Sequence, residues 1–230
     1  MKELFLLITI VRRQDDAEYE NFYRNHGVSV VYNTHCNGTA HAKTLSLLGI
    51  ERTEKSMLLS VVTGANLDKL KRELSYEMKI DLPDRGVAVA VPFSGVGGSS
   101  TLEYFTSGQP VSDERLGEER KMEVNQELII AIYKKGYTDE VMDAARAAGA
   151  RGGTTINAKG TVANTAKFFG MTIAEEKEMV FIVSSKEGKK DIMKAIMQKA
   201  GVDTKAHAVV FSLPVTDTAG LRFADTIEKD

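Results

Sequence analysis

Apolar positions along the chain fall into short continuous runs and into stripes of helical spacing, and the same succession occurs twice. In the second half, residues 128–133 are an unbroken apolar run of strand length. Val141, Met142, Ala145 and Ala148 then recur at helical spacing behind Thr138, a candidate N-cap, and Gly149 ends the stripe. Residues 154–159 and 178–184 read as strands. Ile192, Ile196 and Ala200 mark a helix closed by Gly201, and residues 208–213 make a last strand before Pro214. The first half predicts strands over 4–11, 28–33, 56–63 and 87–91. Tyr19, Phe22, Tyr23 and His26 share one helical face, and Asn66 stands where it would cap a helix carrying Leu67, Leu70, Leu74 and Met78.

The halves align residue by residue. Gly27 matches Gly149, Gly38-Thr39 matches Gly160-Thr161, Lys55 and Met57 match Lys177 and Met179, and Pro92 matches Pro214, all at an offset of about 122. We read a tandem duplication. Each half is a β-α-β-β-α-β unit, the ferredoxin-like arrangement. The expected class is therefore α+β: two tandem ferredoxin-like domains, each an antiparallel sheet with its helices on one face. Residues 1–98 form the first domain, 99–125 a linker and 126–230 the second. The linker holds Gly108, Pro110 and an excess of acids, and reads as solvated, with a short helical turn near 114–121. The sheet face away from the helices carries residues such as Leu128 and Ile129, too apolar for water, so another copy is expected to cover it.

Composition narrows the function classes. Thirty basic against thirty-two acidic residues leave a formal charge of −2, so no basic field advertises nucleic acid. A single cysteine provides neither a disulfide framework nor a CxxC metal knuckle. No apolar run approaches the roughly 18 residues of a bilayer span, and the opening Met1-Lys2-Glu3 is unlike a secretory leader. A soluble, cytoplasmic chain is expected. No activated nucleophile or acid–base pair stands out among four histidines and the scattered carboxylates, so an enzyme is not expected. The glycine-rich stretch 94–100 would need a helix directly behind it to hold phosphate, and 102–105 instead runs into Ser107-Gly108-Gln109-Pro110. It reads as linker. His35, Cys36 and His41 are the one cluster of soft ligands, with zinc or copper(I) as the metal they would suit if they converged.

Three stretches carry a family resemblance: Arg151-Gly-Gly-Thr-Thr-Ile-Asn-Ala-Lys-Gly-Thr161, Glu176-Lys-Glu-Met-Val-Phe-Ile-Val183 and Val210-Phe-Ser-Leu-Pro-Val215. Together they resemble the PII nitrogen-regulatory family, more narrowly its divergent PII-like proteins, over residues 127–221. The resemblance implies a regulatory protein that binds a small effector in clefts between subunits of a homo-oligomer, with a trimer favoured. ATP, ADP or AMP are the implied effectors. The loop between the second and third strands of the unit would then control a membrane transporter or a metabolic enzyme. A CutA-like metal-binding trimer and a ligand-free scaffold are the alternatives.

On that resemblance the ligand-binding residues are Gly152, Gly153, Thr154, Lys159, Gly160, Lys177, Lys205, His207 and Arg222. Gly152-Gly153 let a ligand approach the backbone, and Thr154 supplies a hydroxyl. Lys159-Gly160 offer a cation and an N–H to phosphate. The competing reading of the glycines is sheet curvature or a bulge. The family's glycine-rich phosphate loop is replaced here by Ala206-His207-Ala208-Val209, and Lys205 or Arg222 would have to compensate for its missing lysine. The loop 161–176 contains no tyrosine, so uridylylation of a loop tyrosine is not expected. Its Phe168-Phe169-Gly170-Met171 either tucks against the subunit core or faces a partner, and the cost of exposing aromatics favours tucking. The first half has Val30-Val31-Tyr32 where the second has Gly152-Gly153-Thr154, so the second half is expected to carry the ligand.

Overall fold

A computed structural model describes residues 3–39, 54–110, 124–159, 167–168, 171–172 and 176–221. The chain forms two compact units. Unit 1 begins with β1 (Leu4–Arg12), α1 (Asp16–Asn25) and β2 (Val31–Gly38), then β3 (Glu54–Thr63), α2 (Gly64–Tyr76), β4 (Gly86–Pro92) and α3 (Ser99–Thr106). Unit 2 holds β5 (Gln126–Lys134), α4 (Thr138–Ala147), β6 (Thr154–Lys159), the short pair β7 (Lys167–Phe168) and β8 (Met171–Thr172), β9 (Glu176–Ser185), α5 (Lys189–Ala200) and β10 (Val209–Val215). A last strand, β11 (Asp217–Ala219), belongs to unit 1.

Both units have the ferredoxin-like strand order. In unit 1 it runs β2-β3-β1-β4, extended by β11 at the β4 edge, and in unit 2 it runs β10-β5-β9-β6. The pairs β1–β3, β1–β4, β5–β9 and β6–β9 are all antiparallel. The helical stripes cover one sheet face in each unit. Tyr19, Phe22, Leu67, Leu70 and Leu74 close over Phe5, Leu7 and Val62 in unit 1. Val141, Ala145, Ile192 and Ile196 close over Ile129, Ala131 and Val180 in unit 2.

The duplication extends to a backbone detail. After α1, the Val28 N–H bonds the Tyr23 carbonyl at 2.9 Å and Gly27 bonds Arg24 at 3.1 Å; after α4, Ala150 bonds Ala145 and Gly149 bonds Arg146, both at 3.0 Å. These are two Schellman caps, each built on a glycine in the left-handed region, with φ of 81° at Gly27 and 97° at Gly149. No described helix is long and apolar enough to cross a membrane.

Several expectations need correction. β2 starts at Val31 rather than residue 28, because Val28 is taken up in the Schellman cap. It also divides between the units: residues through His35 belong to unit 1, whereas Cys36 onward belong to unit 2, where Asn37 and Gly38 pair with β6. Neither Asn66 nor Thr138 is an N-cap. Asn66 is inside α2, donating to the His26 carbonyl, and Thr138 is the first residue of α4. Residues 99–110 are not a solvated linker. They contain α3, and buried Gln109 donates to the Val61 carbonyl at 2.8 Å while its side-chain oxygen accepts from the Thr63 N–H at 3.1 Å. Residues 114–121 lie outside the described residues. Finally, Ile129, expected on the helix-free sheet face, packs on the helix side instead.

Candidate functional site

The strongest constellation is in unit 2, where β6 ends and β9 begins. Lys159 pairs with Glu176 and Asn157 with Glu178 across the antiparallel ladder, so the ends of segment 160–175 leave and rejoin the sheet side by side. The neighbouring strand β5 ends here too, with Tyr133 opposite Glu178. Lys135, Asn157, Ala158, Lys159, Glu176 and Lys177 line an open pocket of about 170 Å³ at this point. Its lining includes three lysines and one glutamate. The carboxylate is committed: Lys135 Nζ donates to Glu176 at 2.9 Å, and the Lys135 backbone N–H bonds the Glu176 carbonyl at 3.1 Å. This contact lowers the Glu176 pKa and raises that of Lys135.

Glu178 secures the turn that carries Lys135. It is buried, and one carboxylate oxygen accepts from the Thr138 hydroxyl at 2.7 Å and the Gly136 N–H at 3.2 Å. Tyr133 joins through its hydroxyl, 3.1 Å from that of Thr138. The turn carrying Lys135 is thus tied to β9 by a buried acceptor. Chemically, the arrangement suits a ligand with several negative oxygens, which ammonium groups bind as charge-assisted acceptors.

Of the ligand residues expected from sequence, Lys159 and Lys177 meet in this pocket. Gly152, Gly153 and Thr154 do not line it. Gly153 is explained by packing: a Cβ there would lie 2.8 Å from Val180 Cγ2 and 3.1 Å from the Phe181 carbonyl. Its outer edge is already paired, because the Thr39 hydroxyl accepts from the Gly153 N–H at 2.8 Å and donates to its carbonyl at 2.9 Å. Thr154 pairs with Gly38 and Phe181 and is buried. Gly152 is different, with nothing within 4 Å of an added Cβ. Lys205 and His207 also lie outside the pocket lining; His207 has φ 49° and its Nδ1 donates to the Val202 carbonyl at 2.7 Å. Gly160 and Arg222 fall outside the described residues.

The backbones of Phe168 and Met171 pair across β7–β8, while Phe169 lies outside the described residues. The expected metal cluster does not close on what is described. His35 is exposed and Cys36 buried, adjacent strand residues that face opposite ways, and His41 lies outside the described residues. The glycine stretch 94–100 does have a helix directly behind it, contrary to expectation. Its cavity, however, is lined by Leu4, Phe93, Val96 and Leu102 with no cation.

Sequence reading missed Lys135, Asn157 and Glu176 in the pocket lining, and Glu178 beside it. The available signal was the alternation Glu176-Lys177-Glu178 at a strand start, facing Lys134-Lys135-Gly136 at a strand end. In unit 1 the lysine matching Lys177 is Lys55, which is paired with Asp84 at 2.8 Å.

Residues 126–225 match the family model described as nitrogen regulatory protein P-II. Among solved structures, the crystal structure of Arabidopsis thaliana PII bound to citrate aligns at 23% identity, covering 41% of this chain and 79% of that one, with a TM-score of 0.32. No curated relative matches the chain.

Proposed function

From the match of residues 126–225 to the P-II family model we propose that the chain is a divergent PII-like protein and that it binds the phosphates of an adenine nucleotide in unit 2. The carrying observation is that Lys135, Lys159 and Lys177 all belong to the lining of one pocket at the root of segment 160–175. An anion there neutralises cations at both ends of that segment, and its binding energy biases the segment's conformation. The segment then acts on a target, a transporter or a metabolic enzyme, and no chemistry on the ligand is needed. In this reading the effector is ATP, ADP or AMP, held in clefts between the subunits of a homo-oligomer, three chains being favoured. Gly152, with open space beside its backbone, lets the remainder of the ligand approach.

Calorimetric titration of the full chain with ATP, ADP and AMP, with and without magnesium, tests this. Lys159→Ala and Lys177→Ala each remove a charge-assisted contact of about 1.5–3 kcal/mol and should weaken binding about ten- to hundredfold. Glu176→Gln releases Lys135 from its present partner and should tighten it. Absence of binding by all three nucleotides, or lysine variants that bind like the parent, would overturn the proposal.

A further inference from the structure

His26, Glu73 and Glu77 in unit 1 bring one ligand atom each to within 4.8 Å of one another, the one such group among the described residues. The sequence pattern did not suggest it, because His26 is at the end of α1 whereas Glu73 and Glu77 belong to α2 and the residue that follows it. Glu73 and Glu77 are four apart and so face the same way on the helix surface.

The imidazole is held from two sides. Its Nδ1 is 2.8 Å from the Phe22 carbonyl, and its ring stacks on Phe22 with centroids 4.3 Å apart. A carbonyl only accepts, so Nδ1 carries the hydrogen. In the neutral ring, Nε2 therefore presents a lone pair, and it presents it to Glu77 Oε1 at 3.4 Å. Two electron pairs facing each other require a positive charge between them. An Nδ1–H bonded to a backbone carbonyl is also the outer-sphere contact that orients metal-bound histidines. The 3.4 Å separation matches that of two tetrahedral ligands each about 2.1 Å from zinc.

We propose that His26 Nε2, Glu73 and Glu77 form a divalent transition-metal site, with zinc the fitting ion and water completing the shell. One nitrogen and two carboxylates suit zinc or cobalt; the absence of sulfur among the three ligands argues against copper(I). The matched positions of the second half are Ala148, Ala195 and Lys199, so the duplication supplies this ligand set only once. Bound metal cross-links the end of α1 to α2. This site is independent of the nucleotide pocket, so either proposal can fail alone.

The test is zinc titration of the chelator-treated full chain, followed by calorimetry and, with cobalt(II), by the visible absorption of the bound ion. One ion per chain is expected, with affinity falling at least tenfold in His26→Ala. Because His26 packs on Phe22, the Glu73→Gln/Glu77→Gln double variant, altered away from the core, provides the second measurement; it should keep its fold and lose the cobalt spectrum. Either of two results overturns the site. One is no zinc binding even at millimolar concentration, which leaves a protonated histidine–glutamate pair as the explanation of the contact. The other is binding of zinc by both variants like the parent, which places the ion elsewhere.

Discussion

Thr138 donates its hydroxyl hydrogen to Glu178 at 2.7 Å, joining the first residue of α4 to a buried carboxylate on β9. The same oxygen takes the Gly136 N–H, so one acceptor closes the whole strand-to-helix turn. Replacing Glu178 by Ala strands both donors, at about 1–3 kcal/mol. For a chain of this size, that lowers the melting temperature by about 2–4 °C per kcal/mol. Glu178→Gln keeps an acceptor oxygen and should lose clearly less. Equilibrium denaturation of the two variants beside the parent gives the comparison, and equal losses would show that the carboxylate is not what secures the turn.

Adjacent glycines Gly152 and Gly153 should respond oppositely to an added methyl group. Gly153→Ala drives a Cβ against Val180 and the Phe181 carbonyl, an overpacking that costs about 1–3 kcal/mol. Gly152→Ala meets nothing within 4 Å and should stay within about 0.5 kcal/mol of the parent. Chemical denaturation of both variants checks this. A stable Gly153→Ala would mean that β9 gives way at this contact.

Much of the fold was legible because it depends on local pattern. The stripe of Ile192, Ile196 and Ala200 and the stop at Gly201 produce α5 as expected, and β6 spans 154–159 as read. Sequence reading failed where a distant segment decides the outcome. The polar stretch before Pro110 looks solvated until Gln109 is seen bonding Val61 and Thr63. Asn37 and Gly38 look like the end of a unit 1 strand, yet they pair with β6. For the site, Lys159 and Lys177 were found through a motif. Lys135 and Glu178 were not, because only the β5–β9 register brings them together. Periodicity shows which face of an element is buried; it carries no register between elements.

Tyr19 gives the chain an alkaline limit. Burial holds the neutral phenol and pushes its pKa up to about 12 from an ordinary value of 10.0. Tyr23, wholly buried and 2.5 Å from the Thr9 hydroxyl, is shifted in the same direction. Both phenols keep their protons in the folded state where the unfolded chain loses them. Their contribution is therefore complete below pH 10 and lost as the pH rises from 10 through the folded value. Stability should fall steeply between pH 10 and 12, with a late tyrosinate absorbance step coinciding with loss of the circular dichroism signal. Titration of all seven tyrosines before any unfolding would contradict this assignment.

Thr39 makes the remaining case, because it closes the sheet edge beside the glycine pair. Its backbone N–H and hydroxyl both donate to the Gly153 carbonyl, its hydroxyl accepts from the Gly153 N–H, and Arg146 donates to its carbonyl. Thr39→Val keeps the shape and removes the hydroxyl, leaving the Gly153 N–H without its acceptor. The expected loss is about 1–3 kcal/mol. Hydrogen exchange should localise it: the Gly153 amide speeds up, while Phe181 and Ile182, inside the β5–β9–β6 ladder, keep their protection relative to the global stability. Uniform acceleration across the strands would instead mean that Thr39 supports the whole unit 2 sheet. An unchanged Gly153 amide would mean that water replaces the hydroxyl without loss, and that this edge is open to a ligand after all.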